Sequence, residues 1–309
     1  MRIMSQYLIR LLLGGCLALA GGRAAEAAAV RAVATTSLIA DVARAVGGAD
    51  VEVTALIPPD TDPHAFDPTP RDLARLHGAD LVLANGLGLE TFLDKVLEAG
   101  ASSRQSIVIV SEGRTPRGCG AEEHHAHDHG EHDPHVWFDP TWVQQWADNI
   151  AAAFATRDPE RAGDYRRRAD AYKAELDQLD AWIRAEFSSI PAERRVVVTD
   201  HDEFGYLADR YALTVVGALL PTVTTVAEAS ARSLADLQAR MREAGARVLV
   251  VGHSASPALA EQVARDVGGR VIRLRTHTLG EPGGETATYI GFMRENVRAL
   301  AEALREGGP

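Results

Sequence analysis

Two kinds of stretch alternate along the chain. Short apolar runs occupy 30–36, 51–57, 80–84 and 107–110 in the first half, and 195–200, 213–217, 247–251 and 270–274 in the second. Between them lie longer segments, 37–46, 70–77, 89–98 and 141–155, then 203–211, 233–244, 257–267 and 285–304, which read as helices. Runs of four to seven residues bounded by turn residues are strand-length, whereas longer segments with a period near 3.6 carry the stripe of an amphipathic helix. Ser37 stands where it can cap the first helix, and Gly47-Gly48 ends it. Strands alternating with helices imply an α/β fold of two lobes, each with a mostly parallel four-stranded sheet flanked by helices.

One segment breaks the alternation. From 159 to 187, Ala162, Tyr165, Ala169, Tyr172, Leu176, Leu179 and Ile183 recur at spacings of three and four, with charged residues between them. At 1.5 Å per residue such a helix is about 40 Å long, enough to join two lobes as one rigid backbone. The expected division is therefore 28–157 for the first lobe, 158–190 for the linking helix and 191–309 for the second lobe. Residues 119–133 lack periodicity and are rich in Gly, His, Asp and Glu, so they read as an irregular loop of the first lobe.

The amino end alters what the mature chain carries. Arg2 and Arg10, an apolar run over 11–20 and the small residues around Ala25-Glu26-Ala27 have the layout of a cleaved secretory signal, 1–27. Leu13-Gly14-Gly15-Cys16 is a looser match to a lipid-attachment box, and the cleavage site downstream is the better one. Loss of three arginines and one glutamate moves the formal charge from -11 to -13, which disfavours nucleic acid and suits cationic partners. Only Cys119 then remains, so no disulfide can form within the mature chain.

The candidate chemistry is histidine. Six of the eleven histidines fall within 124–135. The motif DPHVWFDP (133–140) that ends this run nearly repeats DPHAFDP (62–68). Proline restrains its own φ and the residue before it, so His64 and His135 each sit on a stiff turn. In open α/β sheets, ligands bind beyond the carboxyl ends of strands. His201, His253 and His277 each follow a predicted strand of the second half, on the edge that can face His64 and His135. Of these, His253 has no supporting pattern, and His77 reads as a surface residue. Asp200 and Asp202 flank His201 as candidate acceptors for its ring. Histidines this far apart in sequence exclude a zinc-finger spacing and imply a site assembled across a cleft. Several neutral imidazoles favour zinc over manganese, which prefers more oxygen. Because ligation needs neutral imidazole, affinity is expected to fall as pH drops through about 6.5. A zinc hydrolase is the rival reading, but there is no HExxH and no G-x-S-x-G. A surface adhesin would depend on an acylated Cys16.

The chain resembles the periplasmic solute-binding proteins of zinc and manganese ABC transporters. The resemblance rests on ATTSLIADVARAVGG (34–48), LIPPDTDPHAFDPTPRDLARL (56–76), ADLVLANGLGLE (79–90), the histidine-rich loop ending in DPHVWFDP, TDHDEFGYLADRYAL (199–213) and ETATYIGFMRENVRAL (285–300). It implies two lobes joined by one long helix, metal held in the cleft between them, and delivery to a cognate membrane permease. The chain is expected to be a monomer of the periplasm, with a periplasmic zinc chaperone as a further candidate partner. His64, His135 and His201 fall on the family's ligand positions, and manganese-type members often carry Glu where His201 stands. The fourth position departs from the pattern: His277 occupies the place of a usual Asp, and Glu281, Glu285 or water are the alternatives for that place. In similar zinc proteins the histidine-rich loop collects metal, a role that here would fall to His124, His125, His127, His129 and His132.

Overall fold

A computed structural model describes residues 30–93, 106–118, 132–220, 222, 225, 229–253 and 256–306. The signal segment, Cys16 and Cys119, residues 94–98 of the helix expected over 89–98, and His124, His125, His127 and His129 lie outside the described residues.

The first sheet is built from β1 (Val30–Ala34), β2 (Val51–Ala55), β3 (Leu81–Ala84) and β4 (Ser106–Ile109), in the order β2-β1-β3-β4. The second, β5 (Val196–Thr199), β6 (Thr214–Ala218), β7 (Val248–Gly252) and β8 (Arg270–Leu274), repeats that arrangement as β6-β5-β7-β8. Every neighbouring pair is parallel, so all strand carboxyl ends within a sheet point to one edge. The central strands β3 and β7 are buried along their whole length, as expected for strands covered on both faces.

The helices of the first half are α1 (Ser37–Gly47), α2 (Pro70–Gly78) and α3 (Pro140–Arg157). The cap of α1 is Thr36, whose side chain accepts from Ile39 N. Ser37, the residue expected there, instead accepts from Leu279 N at 2.8 Å, which ties the second half to the first. Helix α2 opens with a Thr69/Asp72 capping box and a proline in its first turn.

Helix α4 (Ala162–Ser188) is the long one, 27 residues or about 40 Å. Its buried residues are Tyr165, Ala169, Tyr172, Leu176, Leu179, Ile183 and Phe187, which is the stripe that the sequence period marks out except that Ala162 is only half-buried and Phe187 extends it. The remaining helices are α5 (Gly205–Tyr211), α6 (Ala231–Ala244), α7 (Ala258–Val267) and α8 (Tyr289–Glu306). One continuous apolar core joins α1, α3, α4, α5 and α8 with residues of both sheets, while each sheet keeps a smaller cluster on its other face. The closing helix strengthens this join, since Tyr289 N donates to Asp41 Oδ2 at 2.8 Å. The two halves therefore share a packed interior along α4 rather than hanging on a flexible strand. Among the described residues no helix is long and apolar enough to cross a membrane.

Candidate metal centre

Each of four histidines is delivered by a turn at the carboxyl edge of a sheet. His64 lies in the one-turn segment Pro63–Ala65 after β2, and its N–H donates to Asp62 Oδ1 at 2.9 Å. His135 repeats the device: its N–H donates to Asp133 Oδ1 at 3.0 Å. Asp-Pro-His is thus a local unit in which proline stiffens the turn and the aspartate fixes the histidine backbone. His201 follows β5 directly, with its N–H bound to Asp200 Oδ1 at 2.8 Å. His277 follows β8 by three residues.

The four rings converge. Their ligand nitrogens all lie within 4.8 Å of one another, with His64 Nε2 at 3.2 Å and His201 Nε2 at 3.4 Å from His135 Nε2. Four nitrogens about 2.05 Å from one ion in a tetrahedron would stand roughly 3.3 Å apart, so the spacing matches a metal site. His135, His201 and His277 are buried, and His64 is half-buried. Burial first, and then the charges of neighbouring histidines, hold the pKa of His135 and His277 well below the usual imidazole value. Both therefore stay neutral, and available to a metal, at pH values where an exposed histidine is protonated.

The groups behind the rings set their direction. His135 Nδ1 lies 2.8 Å from Asp133 Oδ1 and His201 Nδ1 lies 2.8 Å from Asp200 Oδ1. A carboxylate can only accept there, so each Nδ1 carries the proton and each Nε2 lone pair faces the cluster. His277 Nδ1 lies 3.0 Å from Thr276 Oγ1. Asp200 Oδ2 also accepts from Gly252 N at 2.8 Å. Burial raises the Asp200 pKa, but the bond and charge of His201, with the Gly252 and His201 N–H groups, outweigh it and leave the group below its ordinary value. Asp133 has less help, and burial pushes it up to about 7. Of the two acids flanking His201, only Asp200 takes the acceptor role; Asp202 bonds through its backbone N–H to Thr222 O at 2.8 Å.

Three supporting residues were not evident from sequence. Glu90 is buried and accepts from Thr35 Oγ1 and Asn85 N at 2.7 Å each and from Gly86 N at 2.9 Å, while Asn85 Nδ2 donates to Pro134 O at 3.0 Å. This chain of bonds braces the turn that carries His135. Gly86 needs its φ of 79°, and a Cβ there would stand 2.5 Å from Ile109 Cγ2, so the Asn-Gly pair in ADLVLANGLGLE is a signal that sequence could have supplied. Asp133 was legible only as part of the repeated motif. The third, Glu203, is buried in the turn after His201, and burial, then the charge of Asp200, pushes its pKa well above the ordinary value against a smaller opposing effect of Thr276.

The other candidates fall outside the cluster. His253 and His77 are exposed, as are Glu281 and Glu285. His132 pairs with Gly118 as an isolated antiparallel bridge at the foot of the histidine-rich loop. That foot is tied to the second half, because Arg117 N donates to Tyr206 Oη at 2.9 Å and Tyr206 Oη donates to Asp133 O at 3.0 Å. Further bridges close the two halves around the cluster: Trp137 Nε1 to Thr276 O at 2.8 Å, Asp60 N to Thr278 Oγ1 at 3.0 Å, and an Arg275–Asp60 ion pair.

A family model described as "Zinc-uptake complex component A periplasmic" matches residues 32–303. The manganese-binding lipoprotein MntA of Bacillus subtilis (strain 168) is 33% identical over 304 residues, 95% of each chain. Zinc-binding protein TroA of Treponema pallidum (strain Nichols) is 33% identical over 282 residues, 88% of each chain. The solved structure of periplasmic zinc-binding protein TroA from Treponema pallidum aligns with a TM-score of 0.78 at 31% identity, covering 89% of this chain and 99% of that one.

Proposed function

The chain belongs to the zinc-uptake complex component A family, and from that premise we propose that it captures one Zn²⁺ between its two halves and passes it to the membrane permease of an ABC importer. The family consists of periplasmic metal-binding proteins of ABC transporters, whose work is binding and delivery rather than catalysis. The relatives divide between manganese-binding and zinc-binding proteins, and the donors of this chain distinguish the two metals. The observation that carries the zinc reading is the convergence of His64, His135, His201 and His277, four imidazoles and no carboxylate in the tetrahedral set. Nitrogen-rich sites favour zinc, and manganese favours carboxylate and water.

In this reading Asp133, Asp200 and Thr276 hold the rings so that the lone pairs already point inward, and burial keeps water from competing for the ion. The histidine-rich loop collects zinc ahead of this site, with His124, His125, His127, His129 and His132 as its ligands, and in sequence it leads directly into the turn that carries His135. Deleting 119–132 should slow loading from scarce zinc and leave the affinity of the cleft site unchanged. The protein works as a periplasmic monomer after removal of 1–27.

The test is a chelator-competition titration of Zn²⁺ and Mn²⁺ on the mature chain, beside His135→Ala and His277→Ala. The expected result is one zinc bound far more tightly than manganese, with both variants weakened by tens of fold or more. Tighter binding of manganese would refute the zinc assignment, and binding of neither ion would refute metal capture.

A further inference from the structure

Four neutral imidazoles leave the charge of a divalent ion without an anion among its donors, which makes any carboxylate near the ion important. One faces the cluster. Glu203 is 0% exposed, and its Oε2 stands 3.6 Å from His201 Nε2 and 3.7 Å from His277 Nε2. Among the described residues neither of its carboxylate oxygens has a hydrogen bond of ordinary length and angle, although Thr276 and Asp200 lie close to it, and His277 Nε2 has none either. Buried polar groups in folded proteins are normally satisfied, and a buried carboxylate with no donor is costly. The fold nevertheless holds it there firmly. Glu203 N donates to His201 O at 3.0 Å, so the two side chains leave the same tight turn, and the next residue, Phe204, packs against Phe138 with ring centroids 4.6 Å apart. Of the other carboxylates near these rings, Asp200 bonds His201 and Gly252, and Asp133 bonds His135 through Oδ1 and faces Arg117 Nη1 at 3.8 Å with Oδ2.

We propose that Glu203 is a metal-binding residue of this site, placed across the His201–His277 edge to supply the anionic oxygen donor that the four imidazoles lack. This rests on the metal-capture reading and extends it to selectivity. His277 brings a neutral ring to the fourth corner, and Glu203 brings the negative charge to the edge beside it. An oxygen donor matters more to manganese than to zinc, so Glu203 sets how far the site accepts the harder ion.

Glu203→Gln keeps the size of the side chain and removes its charge. Its zinc and manganese affinities are to be measured by chelator competition, with melting temperatures of the metal-free proteins alongside. The metal-free variant should melt close to wild type, because the amide keeps the size and shape of the buried side chain. Zinc affinity should fall about tenfold or more, in the range seen when groups around metal sites are removed. Manganese affinity should fall further, so that zinc selectivity widens. Unchanged affinities would overturn the proposal; so would a lower melting temperature with equal losses for both metals, which would mark Glu203 as a structural prop. His135→Ala separates this from the underlying reading. Wild-type protein that binds neither ion overturns metal capture itself, whereas binding abolished by His135→Ala and untouched by Glu203→Gln overturns only the role of Glu203.

Discussion

Asp200→Asn is the sharpest test of how the metal centre is held. In the wild type Asp200 Oδ1 accepts from both His201 Nδ1 and His201 N at 2.8 Å, and Oδ2 accepts from Gly252 N at 2.8 Å. An amide has one acceptor oxygen. Whichever way it turns, its NH₂ meets a donor, either Gly252 N–H or the His201 ring. A hydrogen bond to a charged group contributes about 1.5–3 kcal/mol, and each 1.4 kcal/mol is a factor of about ten. Zinc affinity should therefore fall by about 10–100-fold, and the metal-free protein should melt lower because a buried N–H loses its partner. The pKa of Asp200 is depressed in the folded protein, so its stabilising effect is present above the unfolded value of about 3.9 and is lost as pH falls through the folded one. The deficit of the variant should thus be constant around neutral pH and narrow only below about pH 4. Chelator competition and thermal melts measure both effects, with Asp202→Asn as the control, since that side chain makes no bond to His201. If Asp200→Asn bound zinc within about threefold of wild type, the argument that this carboxylate sets the ring tautomer would be refuted.

Other expectations follow from the same geometry. Sequence alone leads one to expect zinc affinity to fall through about pH 6.5; the depressed pKa of His135 and His277 moves that loss to more acid pH. The share of metal-free stability set by His135 and His277 should decline from about pH 6.5 downward, because the unfolded histidines take up protons that the folded ones refuse, while the raised carboxyls of Asp133 and Glu203 act in the opposite direction. Titrations and melts from neutral to mildly acid pH check both trends, and a steep loss of zinc affinity just below neutrality would count against them. Gly205→Ala should weaken zinc binding by about tenfold, because a Cβ there would stand 2.3 Å from Arg117 Nη1 and 2.8 Å from Asp133 Oδ2, the carboxylate that orients His135; an unaltered titration would show that both groups move aside freely. Leu179→Ala removes a side chain with 0% exposure from the core shared by both halves and should cost about 2–5 kcal/mol. Calorimetry should show one unfolding transition, lowered as a whole, and two separate transitions would mean the halves unfold independently.

Much of the fold was legible because its signals are local. The eight expected strands all appear within two residues of their predicted limits, since short β-prone runs bounded by glycine and proline have few other ways to bury themselves. The apolar stripe of α4 is the one read from spacing, because a 3.6 period leaves a single face to cover. Errors gathered at element ends, where one hydroxyl can serve several donors. Ser37 and Thr36 are both suitable caps, and the choice was made by Leu279, a residue far away in sequence that needed an acceptor.

For the metal centre, sequence by itself determined the residue types and their local pose. Asp-Pro-His fixes the backbone of His64 and of His135 through bonds spanning two residues, and such bonds need nothing from the rest of the chain. Only the tertiary structure decided which histidines meet. His253 and His277 both follow strands of one sheet edge, yet one is exposed and the other is buried within reach of His64, His135 and His201. Likewise the roles of Glu90, Asp133 and Glu203 depend on burial and on distances between segments far apart in sequence. Packing of the two sheets along one helix sets those distances, and no period or spacing in the sequence encodes them.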